Sequence, residues 1–211
     1  MKDPVINSYQ QEHIETLRLV RSGLGLLSPK AVQGLRNLCE PYMAFRQEVD
    51  HFLACYFSDV CTRNCYESRL SACCSKDGII AFFADVVVNA LASTNAQLDQ
   101  LEMALGLPND RFKCVYLSNN GCLWAVKPIV CQMFLCDSAQ KTVFLNTPGV
   151  EDNWKHFREK EKVFKWPDKP VLFDRLEKAF LDLGIDSPLM YFHHSPGLLM
   201  VKQKAGLLNS K

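Results

Sequence analysis

Four cysteines lie within the fourteen residues CTRNCYESRLSACC, and no other stretch of the sequence concentrates reactive side chains so strongly. They are Cys61, Cys65, Cys73 and Cys74. A second stretch, CLWAVKPIVCQMFLC, carries Cys122, Cys131 and Cys136. A set of soft thiolates with no histidine nearby favours zinc, copper(I) or an iron–sulfur cluster over hard cations. We therefore expect all seven cysteines to be candidate metal ligands.

The spacing of the cysteines helps to distinguish a single ion from a cluster. Zinc ribbons and knuckles usually contain two C-x-x-C turns, whereas this sequence contains none. Iron–sulfur proteins use more varied spacing. The C-x-x-C-H motif of c-type haem is absent, and the radical S-adenosylmethionine signature C-x3-C-x2-C fails at Ser68. We expect an iron–sulfur cluster, of the 4Fe–4S type, with Zn²⁺ as the alternative.

The composition limits the classes of partner and compartment. Among 211 residues there are 24 Lys and Arg against 23 Asp and Glu, so no basic surplus exists to bind nucleic acid. The N-terminus lacks the pattern of a secretory signal. The most apolar run, residues 79–92, is too short to span a membrane and contains Asp85, so we expect a core helix there. A cytoplasmic, reducing location follows, in which structural disulfides are disfavoured.

The elements that must position the cysteines are mostly helical. Apolar periodicity predicts helices over about 4–22, 29–38, 41–60, 79–91 and 95–105, and two more within 151–184. Asn119-Asn120-Gly121 between β-prone runs predicts a hairpin, Pro128 a helical turn, and KTVFLN a third strand. We expect one mainly α domain, residues 1–211, with a small β-hairpin beside a cysteine-rich metal-binding loop. The cysteine-cluster region covers about 61–136, flanked by N- and C-terminal helices.

CTRNC…ACC followed by GCLWAVKPIVCQMF resembles the YkgJ-type cysteine-cluster family, which is described as a zinc- or iron-chelating domain. Gly121-Cys122 and the segment 127–134 match the family's Gly-Cys and Arg-Pro-x-x-Cys-Arg-x-Phe segments, with Lys127 and Gln132 in place of the two arginines. The first cysteines are spread more widely than the family's C-x2-C-x2-C-C. The resemblance covers about residues 61–136 and implies a site for zinc or iron.

Three functions remain open from the residues. The first is an iron–sulfur protein in electron transfer, redox sensing or partnership with a redox or enzyme protein. The second is a zinc-stabilised interaction module without catalysis. The third is thiol chemistry, for which Cys131, close to Lys127 in the turn opened by Pro128, is the candidate. The sequence nominates no catalytic residue, and whether the chain is an enzyme stays open.

The remaining cysteines and histidines have simpler interpretations. Cys39, Cys55 and Cys114 lie among apolar residues, which predicts packing outside the site. His193-His194 is expected in a surface loop, and Asp50-His51 on a polar helix face rather than as support for the ligands. The sharpest prediction is one of convergence. Cys74, Cys122 and Cys131 should reach one centre, with Cys61 or Cys65 as the fourth ligand.

Overall fold

The computed structural model describes residues 6–67, 80–109 and 113–208. The elements follow in chain order as α1 (Ser8–Leu26), α2 (Pro29–Tyr56), α3 (Ser58–Cys61), a π-helix (Thr62–Glu67), α4 (Phe83–Ala92), α5 (Asn95–Leu105), β1 (Leu117–Ser118), β2 (Gly121–Cys122), α6 (Ile129–Gln132), α7 (Asp137–Asn146), α8 (Val150–Lys165), α9 (Leu172–Leu181), α10 (Tyr191–His194) and α11 (Pro196–Lys204). The predicted class, mainly α with a small β-hairpin, is confirmed.

Helix α4 is the centre of the core. Every residue from Phe83 to Ala90 is buried, and the helix packs against α1 and α9. Helix α1 also comes close to α9, because a Cβ added at Gly23 would lie 2.6 Å from the ring of Phe180. A side chain at position 23 would require Phe180 and Ile185 to move. Because α4 is buried on every side, the expectation of a core helix in this run is confirmed for Phe83–Ala92.

Helix α2 differs from its prediction, because Pro41 lies inside one continuous helix instead of starting a new one. Pro41 is exposed, whereas its neighbour Tyr42 is buried. The aromatic stripe of α2 packs on α8, with the Phe52 and Trp154 rings stacked at 5.9 Å. Burial of this stripe stabilises the helix through the proline, although a proline inside a helix removes one backbone hydrogen bond.

Two further predictions concern a hairpin at Asn119-Asn120-Gly121 and a third strand at KTVFLN. Strands β1 and β2 pair antiparallel, with Leu117 opposite Cys122, and Gly121 has a φ of 106° that favours glycine in the turn. The predicted hairpin is confirmed. KTVFLN is not a strand: it lies in α7, which buries Ala139 and Val143 four residues apart on one face.

The helices of the described segments include none that combines the length and the apolar character needed to cross a bilayer.

Candidate metal centre

The turn that carries Cys131 is a short helix entered through a proline. Pro128 precedes α6, and its carbonyl accepts hydrogen bonds from the backbone N–H groups of Cys131 at 2.9 Å and Gln132 at 3.1 Å. Pro128 fixes φ at the entry, as predicted from the sequence. The position of Cys131 is therefore set by the segment 126–132 and by whatever holds that segment in place.

Helix α4 holds this segment with two buried polar side chains. Oδ1 of Asp85 accepts a hydrogen bond from the backbone N–H of Ile129 at 3.0 Å, and its Oδ2 accepts one from Phe82 at 3.0 Å. One helical turn later, Oδ1 of Asn89 accepts from the backbone N–H of Val126 at 3.0 Å. Asp85 and Asn89 thus fix both ends of the approach to α6.

Helix α2 holds the same segment from a second direction through Arg46, which is 3% exposed. Its Nη2 donates to the carbonyl of Lys127, its Nη1 donates to the Tyr42 hydroxyl at 2.7 Å, and its Nε donates to Oε1 of Gln132. Gln132 returns a hydrogen bond from Nε2 to the backbone carbonyl of Arg46 at 3.0 Å. Arg46 and Gln132 therefore bind each other through two hydrogen bonds.

The electrostatics of this network reflect its burial. Burial raises the pKa of Asp85 from 3.8 to about 6, although the hydrogen bond from Phe82 and the positive charge of Arg46 oppose the rise. At neutral pH the carboxylate is ionised. The guanidinium of Arg46 then supplies the opposite charge that a buried carboxylate needs.

The hairpin and the preceding turn carry Cys122 and Cys114. Cys122 is an exposed residue on β2, although desolvation of its thiol raises its pKa. Cys114 is buried, and its Sγ accepts a hydrogen bond from the backbone N–H of Tyr116 at 3.4 Å. A backbone hydrogen bond from Leu117 to the carbonyl of Cys114, at 3.0 Å, closes this turn beside the hairpin.

The thiols of Cys114, Cys122 and Cys131 lie within electrostatic reach of one another. Burial, with the negative charges of Asp85 and Cys122, raises the pKa of Cys131 to about 12 against the opposing charge of Lys127. Burial, with the charges of Cys122 and Cys131, likewise raises the pKa of Cys114 to about 12. Burial of Cys114 confirms its prediction as a packed residue. Its closeness to Cys122 and Cys131 was not foreseen.

Tyr9 of α1 lies within electrostatic reach of Cys114 and Cys131. Burial is the main cause that raises the pKa of Tyr9 far above its ordinary value, followed by the charges of Cys114 and Cys131. Within the described residues, no hydrogen-bond partner reaches the buried Tyr9 hydroxyl. The Tyr9 hydroxyl is therefore a hydrogen-bond donor without an acceptor in the described part of the chain.

The first cysteine group is described only in part. Cys61 ends α3, and α3 packs on α7, whose N-cap residue is Cys136. Cys65 lies in the π-helix, while Cys73 and Cys74 fall outside the described residues. Across 6–67, 80–109 and 113–208, no three Cys, His, Asp or Glu side chains are grouped closely enough to hold a metal ion. The predicted convergence on Cys74 stays a prediction.

Cys39 and Cys55 were both predicted to be buried, and the prediction holds for one of them. Cys39 is buried as predicted, and burial raises the pKa of its thiol to about 11. The prediction for Cys55 was wrong, because Cys55 is exposed on α2 and its Sγ lies 3.6 Å from Nε2 of His51. Asp50 and His51 are exposed, as expected for a polar helix face.

The two adjacent histidines do not lie in a surface loop. They form part of α10, where Nδ1 of His193 lies 2.7 Å from Oε2 of the fully buried Glu177. Lys202 of α11 donates to Asp174 at 2.7 Å beside this pair. His194 instead pairs with Asp186 on the exposed side, at 2.6 Å. The carboxylate partners are 8 to 16 residues away in sequence, so local spacing did not indicate them.

The environment of Cys131 also bears on the thiol-chemistry hypothesis. An activated cysteine needs a pKa below its ordinary value, which a nearby cation or a helix N-terminus supplies. Burial instead raises the pKa of Cys131, and the charge of Lys127 does not reverse this. The raised pKa of Cys131 does not favour the thiol-chemistry hypothesis.

Comparison with known proteins gives no relative for this chain. No protein-family model, no curated protein and no solved structure matches it.

Proposed function

We propose that this chain binds a metal centre through the thiolates of Cys122 and Cys131. Further ligands would come from the other predicted cysteines, namely Cys61, Cys65, Cys73, Cys74 and Cys136. The set is soft and contains more thiols than one centre needs, so some of these cysteines would be spare. The resemblance of residues 61–136 to a zinc- or iron-chelating family supports the same proposal.

The observation that carries this proposal is the buried network around the Cys131 turn. Arg46, Asp85 and Asn89 are 3%, 2% and 0% exposed, and each hydrogen-bonds to the segment 126–132. Burying charged and polar groups costs free energy, and apolar packing is often as stable. Groups of this kind are common around metal ligands, which must be held within narrow tolerances.

We infer an iron–sulfur cluster of the 4Fe–4S type, because the spacing lacks the paired C-x-x-C turns of zinc sites. Such a cluster supplies one-electron transfer when it is bound. The buried Tyr9 hydroxyl has no hydrogen-bond partner among the described residues, and it would be available to donate to the thiolate of Cys131 when the cluster is bound. Hydrogen bonds to ligand sulfurs are one means by which a protein sets the reduction potential of a cluster.

The proposed role is electron transfer, redox sensing or partnership with an enzyme. Cys122 and Lys127 are exposed, so a centre at Cys122 would be open to a protein redox partner. Six described cysteines form no disulfide, which agrees with a reducing compartment such as the cytoplasm; they are Cys39, Cys55, Cys114, Cys122, Cys131 and Cys136.

Anaerobic purification tests this proposal. We expect a coloured protein with iron and acid-labile sulfide in comparable amounts. Stoichiometric zinc in a colourless protein would replace this proposal with a zinc-stabilised interaction module, whose melting temperature should fall on chelation. If the protein contained neither iron nor zinc after anaerobic purification and reconstitution, both the iron–sulfur proposal and the zinc alternative would be contradicted.

A further inference from the structure

A cavity lies on the side of α6 that faces α7 and α8. Its volume is about 360 Å³, within the range of small-molecule sites. Val130 and Met133 of the Cys131 turn contribute to its wall, together with Trp154 of α8. The indole of Trp154 also stacks on the Phe52 ring of α2, with the ring centroids 5.9 Å apart, and this contact restricts its movement.

The polar part of the wall carries a positive charge. Arg158 and Lys165 both line the cavity, and both pair with the same carboxylate, Glu161. Nη1 of Arg158 lies 3.1 Å from Oε2 of Glu161, and Nζ of Lys165 lies 2.5 Å from Oε1. Glu161 is 2% exposed. Two cations thus share one buried anion, which leaves one net positive charge at the cavity.

Arg158 has donors left for a ligand. Its described bonds, to Glu161 and to the carbonyl of Met133 at 3.2 Å, both use Nη1. A guanidinium has five N–H donors in a planar fork, which suits the two oxygens of a carboxylate. The side chain is 49% exposed, so an anion can reach it from solvent.

We propose that this cavity binds a small organic acid with an apolar, aryl or aryl-alkyl body. The carboxylate would pair with Arg158, with Lys165 nearby, and the body would lie against Trp154, Met133 and Val130. The site is distinct from the proposed metal centre and does not depend on it, although both use the α6 turn. In sequence, Cys131 lies between two residues that line the cavity, Val130 and Met133.

Calorimetry on the full chain tests the proposal with three probes of the same shape. These are 3-phenylpropionate, the neutral 3-phenylpropanamide and the cationic 3-phenylpropylamine. We expect the acid to bind at least about tenfold more tightly than the amide, because it makes a charge-assisted hydrogen bond. The amine should bind most weakly. In NMR spectra the acid should shift the Trp154 indole and the Met133 methyl signals.

Two variants locate the charge that selects the acid. Arg158→Gln should remove most of the preference for the acid over the amide. Lys155→Gln, on an exposed position of α8 where Lys155 pairs with Glu151, should leave that preference unchanged. Thermal melting of both variants verifies folding. The proposal fails if the acid shows no saturable binding at millimolar concentration, if acid and amide bind equally, or if both variants behave alike.

Discussion

Oδ1 of Asp85 in α4 accepts a hydrogen bond from the backbone N–H of Ile129 at 3.0 Å. Ile129 lies two residues before Cys131. The bond connects the buried core helix α4 to the turn that carries a predicted metal ligand. The other oxygen of Asp85 accepts the N–H of Phe82 at the start of α4. One carboxylate therefore fixes both the start of its own helix and the start of α6.

Asp85→Ala should loosen α6 before it affects distant helices. The backbone N–H of Ile129 would lose its acceptor, and we expect its hydrogen exchange to accelerate at least about tenfold, the equivalent of one lost hydrogen bond. The amide of Leu98, bonded to the Thr94 carbonyl in α5, serves as the control. Equal acceleration of the Ile129 and Leu98 amides would indicate global destabilisation and contradict a local role.

The buried carboxylate of Asp85 also predicts a pH dependence. Its pKa is raised in the folded protein from 3.8 to about 6, so the folded state binds the proton more tightly than the unfolded chain. The stabilisation is complete below about pH 4 and is lost as the pH rises through about 6. The free energy of unfolding of the wild type, minus that of Asp85→Asn, should fall by about 3 kcal/mol in total between a pH well below 4 and a pH well above 6. Exposed Asp99→Asn is the control, and a difference for Asp85→Asn that does not vary with pH would refute the prediction.

The contributions of Arg46 and Gln132 to stability should be strongly coupled. Because they share two buried hydrogen bonds, a double-mutant cycle with Arg46→Ala and Gln132→Ala should give a coupling energy of about 1–3 kcal/mol. The ion pair between Lys160 and Glu48 joins α8 to the same helix α2 at the surface. Its cycle should give under about 1 kcal/mol. Similar values for the two pairs would show that Arg46 does not clamp the Cys131 turn.

The two adjacent histidines should differ sharply on mutation. His193→Ala leaves the fully buried Glu177 without its imidazole partner and should cost about 2–4 kcal/mol of stability. His194→Ala breaks an exposed pair with Asp186 and should cost under about 1 kcal/mol. Urea denaturation of the two variants measures both values. Equal losses would contradict the distinction between a buried and a surface pair.

Much of the fold could be predicted from local signals. The helix predicted over 95–105 matches Asn95–Leu105, where Thr94 caps the first turn with its side chain. The hairpin follows from Asn119-Asn120-Gly121, and the α6 turn from Pro128. In each case the cause lies within a few neighbouring residues. Such causes are visible in a single sequence.

The errors arise where tertiary packing overrides local preference. A proline usually ends a helix, yet α2 continues through the exposed Pro41 because its neighbours Tyr42 and Phe45 are buried in the core. The β-branched residues of KTVFLN favour a strand. They form part of α7 instead, since Val143 is buried with Ala139 on one helical face. Propensity is a weak guide beside a buried apolar face.

The cysteines indicated a candidate site in the sequence, but the residues that hold the Cys131 turn in place were not predicted. Asp85 and Asn89 stand four residues apart in an otherwise apolar run, and this spacing was the available signal that α4 has a polar stripe. Arg46 is 81 residues from Lys127, and nothing in sequence links them. Contacts at that distance depend on the tertiary fold.

Replacing the thiol of Cys131 tests whether this residue is a ligand of a metal centre. Serine is nearly the same size but offers a hard oxygen that soft metals bind poorly. We predict that Cys131→Ser, purified anaerobically, loses most of its iron, sulfide and visible absorbance, while Cys55→Ser, altered at an exposed cysteine of α2, keeps all three. Equal metal content in the two folded variants would contradict the account.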